Sequence, residues 1–300
     1  MPAANPYPDD PALERHAAYA FEQVGEDRFR VQPSPSGLLR LFGGAVLSQC
    51  LAAAQRTVPG DRIVHSLHAY FLKPGLVDRP LDCAVTRESD GRSFASRTVR
   101  MTQDGQPIVH MMASFKTRED APRHAVAIPD VPPPDALESM DDLIARHGDR
   151  MPERHRPFWR RRQMFDWRPV GRFRLDDDGV GPAGRALWFR LNGTEDGPAP
   201  VQQRLLTYAS DMHIFHTALV PLGLNWSSDF LQSSSLDHAL WFHDDFRVDD
   251  WLLYVLESPA ASNALALAQG HIFRRDGRLV ATVSQQGLVR VLEEKREGKL

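Results

Sequence analysis

The sequence predicts an α+β chain in which one unit, a buried helix followed by an antiparallel sheet, occurs twice. Three observations carry this expectation: a helix-length segment that is apolar on nearly every face, strand-like segments separated by Asp-Gly turns, and a second pass through the same order in the second half of the chain.

The segment from Leu41 to Asp61 is apolar all round between Ala45 and Ala54, the pattern of a helix buried on every side. Gly43 and Gly44 suit its start, where backbone must pass close to a neighbour or take an unusual φ, and Pro59-Gly60 suit its end. Val64 to Leu72, Phe94 to Met101 and Ile108 to Phe115 are then rich in aromatic and β-branched residues, with Asp90-Gly91 and Asp104-Gly105 as hairpin turns between them.

The second half repeats this. Gln203 to His216 reads as one largely apolar helix, and Leu236 to Phe242 resembles Ser66 to Leu72, with His68-Ala69 lying over His238-Ala239. Strand-like segments from Trp251 to Ser258 and from Ala264 to Phe273 lead to a third hairpin at Asp276-Gly277 and a last strand from Leu279. Between the halves, the segment from Arg118 to Phe165 holds the run VPPPD, a short amphipathic stretch at Met140 to Arg146 and the basic run Trp159 to Arg162, which together read as a surface linker. The partition is therefore residues 1–118, a linker over 119–164, and residues 165–300. One helix wrapped by an antiparallel sheet, present twice, is the layout of a double hotdog. Pairing the two sheets edge to edge removes an exposed edge from each and leaves a cleft between the helices.

Composition narrows the function. A chain of 300 residues with a net charge of -3 lacks the basic excess that tracks a phosphate backbone, so nucleic acid is not an expected partner. Cys50 and Cys83 sit in no metal-ligand spacing, and neither a disulfide scaffold nor a metal site is expected. The first residues lack the basic and apolar regions of a signal peptide, and no apolar run approaches the ~20 residues that span a bilayer. Cytoplasmic location is the expectation. The final Gly-Lys-Leu differs from the peroxisomal Ser-Lys-Leu address at its first position.

Three polar residues are candidates for chemistry. Asp211 lies mid-helix among Tyr208, Ala209, Met212 and Phe215, where a buried carboxylate requires hydrogen-bond donors, the alternative being a place on the wet side of the helix. Gln285 falls on the inward side of its strand with Ala281 and Val283, and its carboxamide can both donate and accept; a strand-end glutamine bonded to a loop is the competing reading. Ser235 closes a serine-rich run before an aromatic strand, a place where a turn or capping role competes with a chemical one. A carboxylate, a hydroxyl and a carboxamide around one water make a hydrolytic site, with the carboxylate as general base. Backbone N–H groups at Gly43-Gly44 offer oxyanion donors, and a packing role for that pair is an equal reading. No G-x-S-x-G elbow of a serine hydrolase occurs.

The segments LFGGAVLSQCLAAAQRTVP, VHSLHAYFLKPG, YASDM, LDHALWFH, WLLYVLESPAAS and the SQQG strand together resemble the acyl-CoA thioesterase II (TesB-like) family over about Phe21 to Arg290. The resemblance implies a double hotdog that hydrolyses fatty acyl-CoA to free acid and CoA without metal or organic cofactor, as a homodimer or homotetramer. It also implies that Asp211, Ser235 and Gln285 are catalytic, and that His65 occupies a common family position which lines the substrate cleft; a satisfied sheet histidine is the alternative there. Two departures stand out: Ala45 replaces a common Gln after the glycine pair, and Ser235 replaces a Thr with the same hydroxyl. Arg160, Arg161 and Arg162 suit the phosphates of CoA, against the plainer reading of a solvated linker. A hotdog hydratase or dehydratase and a non-catalytic acyl-CoA-binding protein are the competing functions.

Overall fold

A computed structural model describes residues 21–33, 40–148, 163–171, 179–225, 228 and 230–293. The first half contains β1 (Phe21–Gly25), β2 (Arg28–Val31), helix α1 (Gly43–Gln55), β3 (Arg62–Phe71), β4 (Leu81–Asp90), β5 (Phe94–Gln103) and β6 (Gln106–Thr117). The second half contains β7 (Phe165–Val170), β8 (Gly184–Leu191), helices α3 (Ala199–Ser210) and α4 (Ile214–Leu219), and strands β9 (Leu231–Ser235), β10 (Asp237–Phe242), β11 (Leu252–Ser262), β12 (Leu265–Arg274) and β13 (Leu279–Val291). Helix α2 (Met140–His147) lies in the connection between them.

The strands among the described residues form one 13-stranded antiparallel sheet in the order β1-β2-β4-β5-β6-β3-β10-β13-β12-β11-β8-β7, with β9 paired to β13. The repeat read from the sequence is visible in that order. Outward from the β3/β10 junction, each half runs through its post-helix strand, its last strand, two hairpin strands and its two pre-helix strands. The junction is an antiparallel ladder from Asp237↔Tyr70 to Trp241↔Ser66, so the two sheets meet edge to edge and neither leaves its post-helix strand unpaired. The fold is the double hotdog.

Helix α1 is buried along nearly its whole length, as its all-round apolar sequence requires. Its partner is α3. Ser48 Oγ donates to the Arg204 carbonyl at 2.9 Å, and the two backbones approach so closely that a Cβ on Gly44 would lie 2.3 Å from the Tyr208 carbonyl oxygen. The Asp104-Gly105 turn has positive φ at both residues, the geometry of a tight hairpin.

The connection is more than a loose linker over its described part. Ser139 caps α2, Met140 and Ile144 are buried, and Ile128, Val131 and Leu137 pack on Trp188, Trp251, Leu253 and Phe273. The Trp188 indole N–H donates to the Pro132 carbonyl at 2.9 Å, which fixes the proline run onto the second half's sheet. Arg160, Arg161 and Arg162 lie outside the described residues.

Two expectations need correction. The apolar stretch from Gln203 to His216 is two helices rather than one: α3 ends at Ser210, and His213 takes a left-handed φ of 65° before α4 begins. The orphan carbonyl of Ser210 at that break is satisfied by the buried Tyr254 hydroxyl at 2.8 Å, which lets the helix stop in the core. Part of the serine-rich run, read as a loop, is strand β9. It escapes the hydrophobic pattern because only Leu231 is buried while the serines bridge partly exposed positions.

Candidate active site

Strands β9 and β10 both run along β13, but their ladders are out of register with one another. Ser235 pairs Gly287, whereas Ala239 pairs Ser284, and the irregularity falls at Leu236 and Asp237. Such a bulge re-aims the side chains beside it. Ser235 thereby lines a cavity of about 380 Å³ together with Gly43, Val46, Phe71, Leu236 and Leu288. Period-two alternation along β13 sends Gln285 inward, where it is fully buried, while Gln286 stays partly exposed.

Asp211 is the C-cap of α3, not a mid-helix residue, and its carboxylate faces the first turn of α1. The Gly44 N–H donates to Oδ2 at 2.7 Å, so Asp211 supplies the N-terminal cap that Phe42 cannot give α1. A carboxylate is disfavoured at the negative end of α3 and favoured at the positive end of α1. Burial raises the Asp211 pKa above its ordinary value. The His238 ring, the Gly44 N–H and a hydrogen bond from Gln285 oppose that rise.

These contacts assign the glycines a role. A Cβ on Gly43 would sit 2.7 Å from Asp211 Oδ2 and 3.0 Å from the Phe71 ring. The pair therefore clears space for the carboxylate and the helix crossing, and the Gly44 N–H, expected as an oxyanion donor, is already given to Asp211.

Asp211, Ser235 and Gln285 do come together. Gln285 Nε2 lies 2.6 Å from Ser235 Oγ, and the same carboxamide is close enough to Asp211 to favour its ionised form. His65 does not join them. Its ring bonds Ser114 Oγ at 2.8 Å and packs edge-on against Phe94, as a sheet histidine does.

His238 does join the cluster, and sequence reasoning passed over it. Its Nδ1 lies 2.6 Å from Gln285 Oε1 and 3.9 Å from Asp211 Oδ1, and its Nε2 lies 3.0 Å from Ser210 Oγ. The ring has no solvent exposure, and burial lowers its pKa, which favours the neutral form. The repeat supplied a weak signal by aligning His238 with His68, but His68 faces outward against Trp241, so the two histidines share a sequence pattern and not a role.

A second cavity, about 530 Å³, is lined by Arg190, Arg247, Trp251 and Arg274 and contains none of these residues. Its charges are largely paired, Arg247 with Asp249 and Arg274 with Asp276. Among the described residues, no group of three or more His, Cys, Asp or Glu side chains is placed to hold a metal ion. No described helix is long and apolar enough to cross a membrane.

Comparison with known proteins gives this geometry a context. Residues 31–116 match a family described as an acyl-CoA thioesterase N-terminal domain, and residues 160–288 match one described as acyl-CoA thioesterase. The chain is 34% identical to acyl-CoA thioesterase 2 of Haemophilus influenzae, over 91% of this chain and 96% of that protein. It is also 34% identical to human acyl-coenzyme A thioesterase 8, over 93% of this chain and 90% of the relative. The crystal structure of an acyl-CoA thioesterase II, TesB2 from Mycobacterium marinum, superposes with a TM-score of 0.76 at 34% identity, covering 93% of this chain and 99% of that one. With both halves matched in order and curated relatives aligned over nearly its whole length, this chain belongs to the acyl-CoA thioesterase family.

Proposed function

We propose that the protein hydrolyses acyl-CoA to a free carboxylic acid and CoA, with Asp211 as general base. The observation that carries this reading is the buried Asp211 carboxylate close behind the linked Gln285 carboxamide and Ser235 hydroxyl, of which Ser235 lines a mostly apolar cavity that Asp211 and Gln285 do not line. The thioester enters with its carbonyl at Ser235. Asp211 takes a proton from a water that attacks the carbonyl carbon, Gln285 and Ser235 hold the reacting groups in line, and the tetrahedral intermediate collapses with loss of the CoA thiolate. The acid product keeps the water oxygen, and the proton on Asp211 is available to the departing sulfur.

The cavity supports this substrate class. Among the described residues Arg40 and Lys73 lie on its lining and no acid does, which suits the phosphates of CoA, while Val46, Phe71 and Leu288 suit an acyl or pantetheine arm. A histidine beside an acid is also what a hotdog dehydratase would use. Here both ring nitrogens of His238 are engaged inside the protein and the ring is closed to the cavity, which favours water over an abstracted substrate proton. The absence of a described membrane-spanning helix is compatible with a cytoplasmic enzyme, and the family resemblance with a homodimer or homotetramer.

Thiol release measured across short, medium and long acyl-CoA esters tests the reading; tight binding without release would point to a non-catalytic acyl-CoA sensor instead. Ser235→Ala and Gln285→Ala are each expected to lower kcat by about 10- to 10³-fold while KM changes little, because these groups act on the reacting atoms rather than on the CoA body. A rise in KM at unchanged kcat would assign them to binding alone.

A further inference from the structure

The chemistry of the carboxamide fixes how Gln285 must point. The Gln285 NH2 meets Ser235 Oγ at 2.6 Å, and because a carboxylate only accepts hydrogen bonds, the nearby Asp211 also favours the NH2 over the carbonyl oxygen on that side. The carbonyl Oε1 then faces His238 Nδ1 at 2.6 Å, a contact that is favourable only if Nδ1 carries the hydrogen. With the other tautomer two lone pairs would oppose each other at that distance. The amide would gain by flipping, and its oxygen would then turn against the Asp211 carboxylate.

The far side of the ring admits that tautomer when Ser210 turns its single hydrogen to Nε2, 3.0 Å from its Oγ, instead of to the Thr207 carbonyl at 2.9 Å. All three residues are closed to solvent: His238, Ser210 and Thr207 each have 0% exposure. In the wild-type fold the ring is held between α3, β10 and β13, out of reach of bulk solvent.

We infer that His238, resting on the active-site reading above, is a positioning residue: its Nδ1–H locks the Gln285 carboxamide with the NH2 toward Asp211 and Ser235. The lock has a consequence for Ser235. Its oxygen accepts from Gln285, so its own hydrogen is left for a group in the cavity, the attacking water or the thioester oxygen. The Gly44 N–H is spent on Asp211, and Ser235 becomes the hydroxyl donor that faces the substrate.

The test compares His238→Leu, which removes both ring nitrogens, with His238→Asn, whose side-chain NH2 can stand near the place of Nδ1–H. His238→Leu is expected to lose about tenfold or more in kcat at similar KM, and His238→Asn to recover most of that loss. In a Gln285→Ala background, His238→Leu is expected to cost little further, since its effect runs through the amide. A full additional loss in that background, or an Asn variant that folds but is as impaired as the Leu variant, overturns the inference. Should neither variant fold, 15N NMR of histidine-labelled wild-type protein decides it, with a neutral ring protonated on Nδ1 and bare on Nε2 expected, and the opposite tautomer contradicting it. Normal turnover in His238→Leu with Asp211→Asn inactive removes only the lock; an active Asp211→Asn removes the reading on which it rests.

Discussion

Asparagine in place of Asp211 is expected to lower kcat by about 10²- to 10⁴-fold, the range contributed by a positioned general base, while the fold and acyl-CoA binding persist. The side-chain oxygen of asparagine can still accept the Gly44 N–H, so the cap on α1 survives. Its NH2 cannot take a proton from water, and it meets the NH2 of Gln285 donor to donor. The pH profile separates loss of the base from damage to the fold. Wild-type kcat/KM requires ionised Asp211, and burial raises this carboxyl above its ordinary value, so activity is expected to fall along an acid limb displaced upward from ordinary carboxylates. The residual activity of the asparagine variant is expected to lack that limb. Stability should move the other way. A carboxyl whose pKa is raised on folding binds its proton more tightly in the native state, so it opposes stability fully above the folded value, progressively less as the pH falls toward the unfolded value, and not at all below that. At neutral pH relief of that penalty offsets the donor-to-donor contact with Gln285, so the asparagine variant is expected to melt close to the wild type in calorimetry.

Gly44→Ala is expected to destabilise the protein by about 2 kcal/mol, against what helix propensity alone would give. Alanine is preferred to glycine in a helix by about 1 kcal/mol, but overpacking a close contact costs about 1–3 kcal/mol. The new Cβ would lie 2.3 Å from the Tyr208 carbonyl oxygen, a backbone atom, as well as 2.6 Å from the Phe42 ring. Backbone yields less readily than a side-chain end, which puts the cost at the upper end of its range. Separating α1 from α3 also draws the Gly44 N–H away from Asp211, so activity should fall with stability. Gly60→Ala is the control: nothing lies within 4 Å of its added Cβ, and its melting temperature should stay near that of the wild type.

What sequence could and could not show follows from which features leave a local mark. The buried helix α1 and the Asp104-Gly105 hairpin were legible because apolar runs and left-handed turns restrict residue choice on the spot. The inward side of β13 was legible for the same reason, and it brought out Gln285. The short strands β1, β2, β7 and β8 carry weaker patterns and emerge only when their partners are in place. The end of α3 at Ser210 has no glycine or proline to announce it. The left-handed residue there is His213, and the helix stops because Tyr254, far along the chain, meets the last carbonyl.

The site divides along the same line. Asp211 was visible as an acid in apolar company, yet its main partner is a backbone N–H from the other half of the chain, which no local pattern encodes. Ser235 was only weakly marked by its place before the aromatic strand and gained its assignment through family resemblance, because its aim depends on a register shift between β9 and β10. His238 was hidden by its likeness to His68, since the repeat matches residues while only the folded pleat decides which of the two faces inward.

The most direct measurement is a crystal structure of Asp211→Asn with a bound acyl-CoA. The expected result is a thioester carbonyl within hydrogen-bond reach of Ser235 Oγ, a water between it and residue 211, and the substrate chain in the cavity lined by Val46, Phe71 and Leu288. A thioester lodged elsewhere, such as beside Arg190 and Trp251 with no path to residue 211, would contradict the assignment of this cluster as the place of hydrolysis.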